Sequence, residues 1–263
     1  MPGLIAVDLD GTVVGADLVV GERVVAAFAS ARRAGWRTVI ATGRMFRSAL
    51  PYAARLGVTD PLITYQGAWV RDPVTLQTWW HRLIPADLAL EVVRAVKDRG
   101  LHLNLYRDDV LLVERITQEA VWYCSQSGVD ATVVPSLEAQ SDAVTKLVAI
   151  APPAVVDQYE PAFKTIFSGR LNVVRSNPRY LEFSDLAASK GQALGHVAER
   201  LGIDPGAIVA FGDADNDADM LAMAGLGVCV GDASAAARAA AKRHTAPIGD
   251  GVAAVIEELV ASS

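Results

Sequence analysis

Two carboxylates stand two residues apart in the run Asp8-Leu9-Asp10-Gly11-Thr12, directly after the apolar stretch Leu4 to Val7. An apolar run of that length followed by polar, turn-forming residues reads as a buried strand ending in a loop. The carboxyl end of a strand is where open α/β sheets bind ligands. Alternate residues can converge on one site with Leu9 turned away, and Gly11 permits the tight backbone path that brings Asp10 forward. One carboxylate can then attack while the other moves protons. The pattern D-x-D-x-T arises by chance in about one chain in twenty of this length, so by itself it is also compatible with a plain turn.

A second acidic cluster, Phe211-Gly212-Asp213-Ala214-Asp215-Asn216-Asp217, again follows an apolar strand and precedes a helical segment. Carboxylates in that setting suit a hard cation such as magnesium. The alternate spacing of Asp213, Asp215 and Asp217 also imitates a calcium loop, but Ala218 occupies the position that needs Gly and Ala224 the one that needs Glu. Helix capping accounts for one of these acids and not for all four, Asp219 included. Ala41-Thr42-Gly43-Arg44 ends another apolar strand and is expected to open a helix. The Thr42 hydroxyl and the nearby backbone N–H groups then offer either a phosphate site or a simple cap. Ser189-Lys190-Gly191 supplies a lysine able to offset phosphate and carboxylate charge, although an isolated lysine is usually solvated surface.

The elements that must carry these residues follow from hydropathy. Strand Leu4 to Val7, a helical pattern from about Gly21 to Ala34, strand Thr38 to Ala41, a helix through Arg55 and strand Leu62 to Thr64 alternate as a parallel sheet requires. The rhythm returns with a helix from Lys190 to Leu201, strand Ile208 to Phe211, a helix through Ala222 and strand Gly227 to Val230. Between them the pattern becomes helix, paired strands, helix, paired strands. His102 to Tyr106 and Val110 to Val113 form a hairpin, Val144 to Ile150, Leu171 to Val174 and Tyr180 to Phe183 are further strands, and Pro152 to Ile166 is a helix.

Three clusters at strand ends and a lysine at a re-entry point, in this order, are far more specific than any one of them. The chain resembles the haloacid dehalogenase-like phosphohydrolases, with Asp8 to Thr12 as their first motif, Thr42 the second, Lys190 the third and Gly212 to Asp217 the fourth. The Ala-Thr-Gly-Arg spelling, the Ser-Lys-Gly, the G-D-x-x-N-D core and the late insertion are similar to the Cof-type branch. The likeness extends to Met220-Leu221, Ala224 to Val228 and Asp250 to Ala253. It departs at Gln66-Gly67 and Gly231-Asp232, where many members have Asn-Gly and Gly-Asn.

The change of pattern near Leu83 and Ser184 marks an inserted α/β domain, residues 83–183, within an α/β core of residues 1–82 and 184–263, and the resemblance implies that these are a cap domain that closes over the site and decides specificity and a Rossmann-like parallel-sheet catalytic core. The resemblance also implies a phosphatase acting on a small phosphate ester through an aspartyl phosphate on Asp8, with Asp10 as acid and base. Mg2+ would be held by Asp8, the Asp10 backbone carbonyl and Asp213. Thr42 and Lys190 would bind phosphate oxygens, with Gly11, Thr12, Gly43, Arg44, Asn216 and Asp217 in binding and supporting roles and Asp217 orienting Lys190 or a metal water. Arg107, Arg179 and Tyr180 are possible cap contacts. Phosphomutase-type transfer and a phosphometabolite-binding regulatory protein are the alternatives.

Composition bounds the rest. The chain has 263 residues, 52% of them hydrophobic, so a sizeable core is expected. The net charge of -6 comes without a basic stripe, which argues against nucleic acid. Neither a P-loop nor a dinucleotide fingerprint is spelled, and His81, His102, His196 and His244 lack zinc spacing. Two widely separated cysteines and an opening Met1-Pro2-Gly3-Leu4 without a leader suggest a soluble cytoplasmic protein with no membrane partner; the sequence leaves the oligomeric state open between monomer and weak dimer.

Overall fold

A computed structural model describes the chain from Gly3 to Ser262; the Met1-Pro2 opening lies outside the described residues. In chain order the elements are β1 (Leu4–Val7), α1 (Glu22–Arg33), β2 (Arg37–Ile40), α2 (Phe46–Leu56), β3 (Leu62–Thr64), β4 (Trp69–Arg71) and β5 (Thr78–His81). Next come α3 (Ala86–Lys97), β6 (His102–Arg107), β7 (Val110–Val113), α4 (Gln118–Ser127), β8 (Ala131–Val133), β9 (Val144–Ile150), α5 (Pro153–Ile166), β10 (Asn172–Asn177) and β11 (Tyr180–Ser184). The chain finishes with α6 (Lys190–Leu201), β12 (Ile208–Gly212), α7 (Ala218–Met223), β13 (Leu226–Val230), α8 (Ala235–Ala240), β14 (Arg243–Thr245) and α9 (Asp250–Ala261). The described residues form two compact units, residues 3–80 with 189–262, and His81–Ala188.

The first unit is built on a five-stranded parallel sheet of order β14-β13-β12-β1-β2. β1 is apolar at every position because both of its faces are covered. Ile5 and Val7 join one core with Phe28, Phe46, Val252 and Ile256, and Leu4 and Ala6 join another with Leu194, Val197, Met220 and Leu221. The chain leaves β1 for β2 on one side and returns to β12 on the other, so strand order reverses at β1. A crevice at the carboxyl ends of the strands is the geometric result. A bridge from Ala41 to Ile63 continues the sheet toward β3, which forms a small sheet with β4 and β5.

The second unit is a six-stranded sheet of order β10-β11-β9-β6-β7-β8, antiparallel except for the β7–β8 pair. On one face Leu105, Leu147 and Phe183 pack with Ala89, Val92 and Val93 of α3 and Phe163 of α5. The other side of the sheet buries a polar set, with Lys146 Nζ 3.1 Å from Glu182 Oε2 and Asn104 bonded to the Tyr106 hydroxyl.

Several features depart from the sequence expectation, which placed no element beyond Val230 and so lacked α8, β14 and α9. α4 and β8 went unpredicted because α4 buries only Ala120 and Tyr123 and so carries almost no apolar stripe. The short strands β4 and β5 were likewise missed. β10 begins and ends later than Leu171 to Val174, with an irregular register between Val174 and Asn177.

Candidate active site

Three neighbouring strands deliver the chemistry. Val7 pairs with Ile40 and with Phe211, so the residues just beyond β1, β2 and β12 emerge side by side, about 5 Å from strand to strand. Asp8 leaves β1, Thr42 follows β2, and Asp213 follows β12. Lys190 reaches them from the first position of α6, whose N-cap Ser189 accepts the Gln192 N–H.

The centre is a buried ion cluster. Lys190 Nζ donates to Asp8 Oδ1 at 2.6 Å and to Asp217 Oδ1 at 2.7 Å, and the lysine is only 1% exposed. Burial works against its charge, but Asp217 and Asp8 together hold the ammonium above its ordinary range. The second oxygen of Asp217 accepts the N–H groups of Asp213 and Ala214, which fixes the loop after β12. Asp217 therefore caps the turn and orients the lysine at once.

Asp213 sits opposite. Its Oδ1 accepts the Thr12 hydroxyl at 2.8 Å, and burial, with help from Asp217, pushes its carboxyl up to about 6 despite the Thr12 bond. Burial also drives Asp8 well above the usual carboxylate range, Lys190 pulling it back and Asp217 and Asp10 adding to the rise. Carboxylate oxygens of Asp8, Asp213 and Asp217 lie within 4.8 Å of one another. Three acids against one lysine leave excess negative charge in a buried place, and oxygen donors of this kind fit a hard divalent cation. Asp217 already has both oxygens engaged, which leaves Asp8 and Asp213 as the available carboxylate ligands. Gly11 makes the approach possible: its φ is +84°, and a Cβ there would lie 2.3 Å from Asp213 Oδ2.

The second motif differs from the expected helix start. α2 begins at Phe46 with Met45 as its N-cap, so Thr42 is not the cap and its loop is longer than the spelling suggested. Thr42 Oγ1 instead accepts the Arg44 N–H at 3.2 Å, keeping its own hydroxyl proton to donate. Arg44 forms a two-point pair with Asp10, Nε to Oδ2 at 2.8 Å and Nη2 to Oδ1 at 2.5 Å. Gln66, at φ +59° beyond β3, accepts the Asn216 amide at 2.6 Å and lies against Gly43, tying the second motif to the fourth. Sequence reading noted Gln66 only as a departure from the family spelling; its left-handed backbone gives no sequence signal except the Gly67 beside it. Asp232, the other departure, is exposed and makes only a 3.4 Å pair with Arg238.

In the second unit, Arg107 is committed to Asp142 at 2.7 Å, while the Arg179 guanidinium lies 4.8 Å over the Trp122 ring, next to Tyr180. The four histidines make no cluster with metal-ligand geometry among the described residues, and both cysteines are free. No helix of the described residues is long and apolar enough to cross a membrane.

A sequence profile of haloacid dehalogenase-like hydrolases matches residues 5–256. The chain belongs to that family. Among its relatives is the 5-amino-6-(5-phospho-D-ribitylamino)uracil phosphatase YitU of Bacillus subtilis, 28% identical over 98% of this chain and 97% of that one. The HMP-PP phosphatase of Serratia proteamaculans is 29% identical over 88% and 84%. A crystal structure of a Thermotoga maritima protein superposes with a TM-score of 0.88 at 32% identity, covering 98% of this chain and 97% of the other. The enzyme class is that of the phosphoric monoester hydrolases.

Proposed function

We propose that the chain is a magnesium-dependent phosphatase of small phosphorylated metabolites that works through an aspartyl phosphate on Asp8. The observation that carries this is the Asp8–Lys190–Asp217 cluster with Asp213 beside it, at the ends of the adjacent parallel strands β1 and β12 and the start of α6. Asp8 and Asp213, with the Asp10 backbone carbonyl, would hold the cation. When bound, Mg2+ offsets repulsion between carboxylate and phosphate and orients the phosphoryl group.

The remaining work belongs to the chain. An Asp8 oxygen attacks phosphorus in line, the bond from phosphorus to the leaving oxygen breaks, and protonated Asp10 gives its proton to that oxygen. Lys190 on Asp8 Oδ1 fixes the nucleophile's plane and, with the Thr42 hydroxyl, stabilises charge on the phosphoryl oxygens. In the second step water attacks the aspartyl phosphate and Asp10 takes its proton. The bond from phosphorus to Asp8 breaks, inorganic phosphate leaves, and both acids return to their starting forms. Asn216, Gln66, Gly43 and Thr12 hold the loops in register.

His81–Ala188 is read as the specificity domain. Relatives named for a phosphoribitylaminouracil, for HMP-PP and for phosphoglycolate support a small phosphate ester, a sugar phosphate or a phosphorylated cofactor, as substrate class. Phosphate release from a panel of such esters, with and without Mg2+, tests the reading beside Asp8→Asn. Turnover that requires Mg2+ and is lost in the variant, with an unchanged circular dichroism spectrum, is expected. Near-normal release by Asp8→Asn would remove the nucleophile from the mechanism.

A further inference from the structure

We infer that Arg44 is the positioning residue of Asp10, and that it acts on leaving-group protonation and not on phosphate binding. This rests on the phosphatase reading above and names how its acid is aimed. Asp10 is the exposed member of the site, its side chain 53% accessible, while the Arg44 side chain is 13% accessible. Both oxygens of the Asp10 carboxylate are taken by the Arg44 guanidinium. A carboxylate so placed on a loop would sample several rotamers.

Arg44 removes that freedom because it is itself fixed from several directions. Its N–H is bonded to Thr42 Oγ1, its carbonyl accepts the Tyr65 N–H at 3.0 Å, and its guanidinium lies 4.7 Å over the Tyr52 ring. The planar fork then sets both the place and the plane of the Asp10 carboxylate through two charge-assisted bonds. When Asp10 carries its proton, the protonated oxygen becomes a donor and turns to the leaving oxygen, while the other oxygen remains on the guanidinium. The acid thus swings about one anchored atom. As base in the second step it returns to the two-point pair seen here. A guanidinium with Nε and Nη2 spent on Asp10 is poorly disposed to take a phosphate by the same fork, although phosphate binding is what its sequence motif suggested.

The test compares kcat/KM for the best alkyl ester of the panel with that for 4-nitrophenyl phosphate, whose leaving group needs no proton. Arg44→Met is expected to lower the alkyl value by about 10- to 100-fold more than the aryl value, part of the usual range of general acid catalysis. Tyr52→Leu should shift the same ratio more weakly, and Arg44→Lys should recover part of it. The double variant Arg44→Met/Asp10→Asn should be no slower on the alkyl ester than Asp10→Asn alone, since Arg44 works through Asp10. Equal losses on both esters with weaker inhibition by inorganic phosphate, or losses that multiply in the double variant, would overturn the assignment. Wild-type turnover abolished by Asp8→Asn reports the phosphatase reading independently, so either can fail without the other.

Discussion

On the proposed reading Asp213 is a ligand of the cation, and its surroundings set how that binding depends on pH. An ordinary Asp titrates near 3.8 and Asp213 near 6, chiefly because burial penalises its charge. Between those values the folded chain holds a proton that the unfolded chain has lost. This group's contribution to stability therefore declines as pH rises from about 4 to about 6 and is flat above. A bound divalent cation reverses the penalty, since it requires the ionised form. The rise in melting temperature on adding Mg2+ is accordingly expected to be larger at pH 7.5 than at pH 5. Differential scanning fluorimetry at both values checks it, and an equal rise would mean that Asp213 does not hold the metal.

At the scale of elements, the site depends on where α6 starts. Lys190 is its first residue, and the turn after β3 packs against that start: Gly67 has φ +94°, and a Cβ there would lie 2.1 Å from the Ser189 carbonyl oxygen. No side chain fits without moving one backbone from the other. Gly67→Ala should cost about 1–3 kcal/mol from overpacking, and more from its left-handed backbone. Urea unfolding would record the lower midpoint. Turnover should fall with it, because the displaced turn carries Gln66, the partner of Asn216, and pushes on the lysine that holds Asp8. A variant with wild-type turnover and midpoint would show that the two backbones are less tightly coupled.

At the scale of the whole molecule, each unit has its own core. The clusters around β1 and β12 share no residue with the one formed by α3, α5 and the sheet of His81–Ala188. A defect in one core should therefore loosen that unit first. Lys146→Met removes the partner of buried Glu182 and leaves its charge uncompensated, a loss of about 3–5 kcal/mol. Amide exchange is expected to quicken across β6, β9 and β11 and to stay slow in β1 and β12. Uniform acceleration through both sheets would show a single cooperative unit instead.

The sequence by itself determined the parallel sheet. Strands buried on both faces must be apolar at nearly every position, so β1 and β12 were legible as unbroken runs and β2 by Val39 to Ala41, and the polar residues that follow them marked the loops that carry Asp8, Thr42 and Asp213. The weakly striped α4 was not legible, because hydropathy reports only which faces are buried. Nor could spelling show that α2 starts at Phe46, that Gln66 grips Asn216, or that Arg44 turns to Asp10. Those pairings join residues 34 and 150 positions apart. Only the order and register of the strands bring such residues within the 3 Å that a hydrogen bond requires.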